Sequence, residues 1–119
     1  MSDKHIISAR PGFIRARNHG EKAISKTVII QAVRGDGDSW RYGLTATKKI
    51  GNAVVRNRVR RRLRAVAREI LAPIAMSGVD YVFIGRATTA ASSWSALVTE
   101  VEKSLKYLHC KLGDAEKQG

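Results

Sequence analysis

Residues 51–73 read GNAVVRNRVRRRLRAVAREILAP, and this stretch decides the fold. Val55, Val59, Leu63, Val66 and Ile70 recur at steps of four, four, three and four, which places them on one stripe of a helix. Asn52 is a residue type whose side chain satisfies the free N–H groups of a first turn. Pro73 marks the end, because proline disfavours helical geometry in the residue before it. The spacing thus predicts a long helix opening at Gly51-Asn52 and closing at Pro73. Its apolar stripe needs a second layer to cover it.

The neighbouring segments supply that layer. Residues 27–33 (TVIIQAV) are rich in β-branched side chains and predict a strand. Gly35-Asp36-Gly37-Asp38 is turn chemistry, and residues 40–47 (WRYGLTAT) then alternate Trp40, Tyr42, Leu44 and Ala46 on one face. Together the two segments predict an antiparallel β-hairpin. Residues 79–85 (VDYVFIG) carry apolar side chains on both faces, which suits a strand in the middle of the sheet. Ser92 or Ser93 can cap a C-terminal helix whose Trp94, Leu97, Val101, Leu105 and Leu108 share one face. Nearer the start, Phe13 to His19 predict a short N-terminal helix stopped by Gly20, after a loose arm over residues 1–12. The tail over 113–119 is polar and expected to fray. Two amphipathic helices over one sheet make an α/β (α+β) two-layer sandwich, a single domain over residues 1–119.

At 119 residues the chain can bury a core without a disulfide or metal staple, and 44% hydrophobic content excludes a disordered polycation. Cys110 is the only cysteine, which excludes an intramolecular disulfide and fits a reducing compartment. No apolar run approaches 18 residues, and Met1-Ser2-Asp3-Lys4-His5 lacks the apolar core of a signal peptide. The expectation is a cytoplasmic protein with no membrane partner.

The formal charge is +12, and it is unevenly spread. Residues 1–68 hold 17 basic and 4 acidic side chains, whereas residues 69–119 hold 5 and 6. Between Arg41 and Arg68 there are ten basic residues and no acidic one. Like charges crowded together destabilise a fold, so such a block implies a partner whose phosphates neutralise it. A helix made for a membrane surface would carry Trp, Phe and Leu where this one has mostly Val and Ala.

On the long helix, Arg60, Arg61, Arg64 and Arg68 fall within one arc away from the apolar stripe. Arg58 and Arg62 lie on the far edge of that arc, and Arg56 falls beside Leu63 and Ala67. The planar guanidinium matches phosphate oxygens with two parallel hydrogen bonds. Upstream, Lys48-Lys49-Ile50-Gly51-Asn52 brings two cations and a glycine turn to the helix N-terminus, where free N–H groups favour anions. Gly51 and Asn52 also simply stop a strand and cap a helix. The lysines add the phosphate contact.

The segment Tyr42-Gly43-Leu44-Thr45-Ala46-Thr47-Lys48-Lys49-Ile50-Gly51-Asn52-Ala53-Val54-Val55-Arg56-Asn57-Arg58-Val59-Arg60-Arg61-Arg62-Leu63-Arg64 closely resembles the characteristic stretch of the bacterial ribonuclease P protein family. At its centre is Arg-Asn-Arg at 56–58, preceded by the Lys-Lys-Ile-Gly-Asn-Ala loop. The resemblance implies a protein that joins a catalytic RNA to remove the 5′ leader from precursor tRNA. It also implies an active site on the RNA, with Mg²⁺ held mainly there and activating the hydrolytic water. It further implies a left-handed β-α-β crossover at the Arg-rich helix, against the usual right-handed rule. By position, Lys48, Lys49, Asn52, Arg56, Asn57, Arg58, Arg60, Arg61 and Arg64 match the family's RNA-facing surface. Phe13 matches an aromatic of its cleft for the single-stranded leader. Where many relatives carry further aromatics in that cleft, this chain has Arg17, Val28 and Gln31, so its cleft relies more on charge than on stacking.

Groups for a protein-borne nuclease site are missing from the basic block, which has no carboxylates and no histidine pair. Asp36 and Asp38 lack the later Glu of a calcium loop and read as a turn. His5, His19 and His109 are scattered, with Cys110 expected to pack on the core and His109 at its edge. Two other classes share the electrostatics. One is a structural RNA-binding protein such as a ribosomal component; the other is a DNA-binding module, which the lack of a second helix at turn distance disfavours.

Overall fold

The computed structural model describes residues 6–7, 20–35 and 37–118, with side chains to residue 113. Four strands form one sheet: β1 (Glu21–Ile24), β2 (Val28–Arg34), β3 (Arg41–Thr45) and β4 (Val79–Gly85). Their spatial order is β1-β2-β4-β3. β4 runs antiparallel to β2 and parallel to β3. It therefore lies inside the sheet, as its two apolar faces demand, and six of its seven residues are buried.

That insertion corrects the expected hairpin. β2 and β3 do not pair; β4 separates them, and the chain between Arg34 and Arg41 bridges the gap of one strand. Alternation and turn residues are local signals, and they do not say which edge a later strand will take. The hairpin that does form joins β1 to β2 across Ser25, whose N–H donates to the Val28 carbonyl at 3.0 Å. β1 escapes sequence reading because only Ala23 of its four residues is buried.

Helix α1 (Ala53–Val66) begins where the sequence places it, with the Asn52 side chain accepting from the Val55 N–H at 3.0 Å. It continues through a π-helical turn over Ala67–Leu71, in which Ala72 N–H reaches back five residues to the Ala67 carbonyl. Pro73 carries no N–H to continue the α-helical ladder. Val59, Leu63 and Val66 are fully buried, and Val55 and Ile70 pack on the same core from its margin. A short helix α2 (Ala87–Ala91) follows β4, and α3 (Trp94–Gln118) closes the chain. Ser93 caps α3, accepting from the Ala96 N–H at 3.1 Å.

α1 and α3 cover one sheet face, where Ile30, Ala32, Tyr42, Tyr81 and Phe83 meet Leu97, Val101, Leu105 and Leu108 in the main core. This is the α/β two-layer sandwich expected. Gly85 lets the layers close: a Cβ there would lie 2.4 Å from Val59 Cγ1. The opposite face carries a smaller cluster of Ile7, Val33 and Val82 with Ile84 beside it.

Ile6 bridges to Tyr42, and Ile7 N–H donates to the Tyr42 carbonyl at 2.8 Å. Trp94, in the first turn of α3, lies 38% exposed rather than on the buried face. Cys110 is exposed on the side of α3 opposite the apolar stripe, rather than packed on the core. His109 does lie at the core's edge, with Nε2 2.6 Å from the Tyr81 hydroxyl. The helical backbone runs past Gly113 to Gln118. The short helix expected at Phe13–His19 lies outside the described residues.

Candidate nucleic-acid interface

Packing of Val59, Leu63 and Val66 into the core fixes which side of α1 faces outward. Asn57, Arg61, Arg64 and Arg68 are exposed on that side, and Arg60 is half-buried. Asn57 Oδ1 accepts from Arg60 Nη1 at 3.3 Å, tethering that guanidinium one turn along. Val54, Asn57, Arg60, Arg61 and Arg64 line a groove of about 470 Å³ along the helix. The 3₁₀ turn Lys48–Ile50 precedes it, with both lysines exposed. Gly51 has φ 151° there, and a Cβ would meet Val55 Cβ at 2.9 Å, so the turn requires glycine.

Among the described residues, no arginine of α1 pairs with a carboxylate; the ion pair present joins Arg41 to Asp80. Arg41 therefore leaves the basic block. It belongs to the sheet, its Nε and Nη2 at 2.9 and 2.6 Å from the two oxygens of a carboxylate that is 1% exposed.

The remaining positions divide by their contacts. Arg62 spends its guanidinium on the protein: Nη1 donates to the carbonyls of Thr89 at 2.8 Å and Ser92 at 2.6 Å. Arg58, although exposed, donates Nε to the Ala90 carbonyl at 3.0 Å. Together they hold the C-terminal carbonyls of α2, where the helix dipole favours cations. Arg56 is half-buried, its Nε enclosed without a hydrogen-bond partner. Asn52 is exposed, with its carbonyl oxygen engaged as the helix cap. The sequence wheel places Arg58 and Arg62 at the edge of the arc, but α2 has no sequence signal strong enough to reveal what they grip.

Gln31 does not join this surface. It lies on the opposite sheet face, 3% exposed and in register with Val82. Phe13 and Arg17 lie outside the described residues. Among the described residues, no three His, Cys, Asp or Glu side chains gather as metal ligands. Nor is any helix there long and apolar enough to cross a membrane.

The fold matches solved structures closely. The Staphylococcus aureus RNase P protein superposes with a TM-score of 0.74 at 22% identity, covering 88% of this chain and 95% of that one. The Thermotoga maritima RNase P protein gives 0.71 at 19%, covering 88% and 96%. In sequence, the ribonuclease P protein component of Gluconacetobacter diazotrophicus is 42% identical over 108 residues, 89% of this chain and 93% of the relative. That of Bacillus cereus strain B4264 is 35% identical over 114 residues, 95% of each. The Ribonuclease P family model matches residues 1–109. With the Arg-Asn-Arg helix, its lysine turn and the four-stranded sheet all in place, the chain belongs to the ribonuclease P protein family.

Proposed function

We propose that this chain is the protein subunit of a cytoplasmic ribonucleoprotein endoribonuclease that matures the 5′ end of tRNA. Its α1 face binds the catalytic RNA, and its other sheet face takes the leader of precursor tRNA. The observation that carries the reading is the outward arc of Arg60, Arg61, Arg64 and Arg68, unneutralised by any carboxylate among the described residues. In a stable fold, such an arc is balanced by a polyanion. Lys48 and Lys49 extend it, and Asn52, Arg56, Asn57 and Arg58 offer the donors that their protein contacts leave over.

In this reading the polypeptide positions and screens. Guanidinium groups lower the repulsion between RNA and precursor phosphates, while bond cleavage and its Mg²⁺ ions belong to the RNA. The described residues bring no metal-ligating cluster together, so no step is assigned to a protein-bound ion. Phe13, Arg17 and Gln31 are the proposed leader contacts. Gln31 offers an amide and no ring, so it adds no stacking there.

The test is leader removal at low Mg²⁺ by the catalytic RNA with and without the protein. Stimulation is expected, and its absence sinks the assignment. Replacing Phe13 by Ala should slow long-leader precursors more than leaderless ones; an equal effect removes Phe13 from the cleft.

A further inference from the structure

The arginine face is not uniform. Between Arg60 and Arg64 on one side and the docked Ile6-Ile7 segment on the other lies a notch of about 210 Å³. Tyr42, Gly43 and Leu44 of β3 complete its lining among the described residues. Ile7 and Tyr42 are 3% and 2% exposed, which makes a closed floor, while Ile6 at 42% forms a lip. Gly43 is buried and adds no side chain to the lining. No carboxylate lines it among the described residues.

An apolar floor with two guanidinium groups at its mouth is the complement of a nucleotide, a flat ring joined to an anion. The volume is below the roughly 300–1,000 Å³ of sites that enclose whole small molecules, so it suits one ring and excludes a base pair. The notch also shares Arg60 and Arg64 with the groove along α1. A backbone lying in that groove passes over the notch's mouth.

We propose that the notch receives a single unpaired nucleobase turned out of the bound RNA. Its ring lies against Ile6 and Leu44, and its phosphate against Arg60 and Arg64. This rests on the reading of α1 as an RNA-binding face and adds to it a choice of RNA element. Base edges are hidden in the deep groove of an RNA helix, whereas an unpaired base can be splayed out and read by shape. The arc supplies affinity for any phosphate chain; the notch selects a bulge or loop within it.

The experiment compares three probes with the full-length protein at one salt concentration. They are an RNA duplex, the same duplex with one extra unpaired nucleotide, and the bulged duplex with an abasic residue at that position. The bulged duplex is expected to bind about tenfold tighter than the other two, as one buried base would give. Ile6→Ala, at the exposed lip, should reduce that preference several-fold while leaving duplex affinity unchanged. Arg61→Ala, in the groove but outside the notch, should weaken all three probes alike. If the bulged and plain duplexes bind equally, or the abasic bulge keeps the advantage, the notch holds no base and the phosphate reading stands alone. If no probe binds, the RNA-binding reading fails and takes the notch with it.

Discussion

Arg62 and Ser92 are joined by a 2.6 Å hydrogen bond from guanidinium Nη1 to carbonyl, so a cation in the middle of the Arg-rich helix is fastened to its own protein. This separates two kinds of arginine on α1. Arg62→Ala leaves the carbonyls of Thr89 and Ser92 without their donor and should cost about 1–3 kcal/mol of stability. The salt dependence of RNA binding should stay nearly unchanged. Arg64→Ala should do the reverse, sparing the denaturation midpoint and lowering the slope of log K against log salt by about one. Arg60→Ala should lower the slope similarly. Urea titration and binding at several salt concentrations check both halves.

The Arg41–Asp80 pair predicts an asymmetry. Asp80 is 1% exposed, whereas the Arg41 side chain keeps 40% of its surface. Removing Asp80 leaves a cation whose side chain can reach water, so Asp80→Ala should cost about 2–3 kcal/mol, below the range for fully buried pairs. Arg41→Ala strands a buried carboxylate and should cost more, about 3–5 kcal/mol. Equal losses in urea midpoints would mean that Asp80 finds water once its partner is gone.

Burial lowers the pKa of His109 from its ordinary value and raises that of Tyr81. The Tyr81 hydroxyl accepts from the Met76 N–H at 3.0 Å and can donate to a neutral His109 Nε2. With the folded pKa depressed, the unfolded chain binds more protons as the pH falls through the range below about 6.5. The neutral ring's contribution is therefore complete above that value and declines below it. Between pH 7.5 and 5.5 the wild type should lose more stability than His109→Gln. Parallel losses in the two proteins would assign the decline to other groups.

Close approach of β4 and α1 predicts the fourth effect. Gly85→Ala places a methyl 2.4 Å from Val59 Cγ1, inside any tolerated contact. The helix must shift, at a cost of about 1–3 kcal/mol. Val59→Ala combined with Gly85→Ala should recover part of that loss, measured as a double-mutant cycle.

Much of this molecule is legible in its sequence because its strongest signals are local. The 3.6-residue recurrence of Val59, Leu63 and Val66 and the cap at Asn52 fix α1 and, with it, the outward arc of arginines. The two apolar faces of Val79–Gly85 place β4 inside the sheet. What escapes is pairing between distant segments. Nothing in WRYGLTAT tells that Tyr42 will pair with Tyr81 and bridge to Ile6, because alternation specifies a face and not a neighbour. The role of Arg62 escapes for the same reason: its acceptors are backbone carbonyls, which every residue has. The notch joins both failures, since Ile6 and Ile7 stand in a segment without periodicity.

Arg60 and Arg64 of α1 and Arg68 of the π-helical turn that continues it follow one another at four-residue intervals. Each such like-charged pair destabilises a helix by about 0.2–0.5 kcal/mol. The uncomplexed polypeptide thus holds an internal tension that any multivalent anion releases. Its melting temperature should behave as a gauge of the surrounding phosphate, low in dilute buffer and climbing as counterions gather. A protein of this kind reaches its sturdiest state only in company.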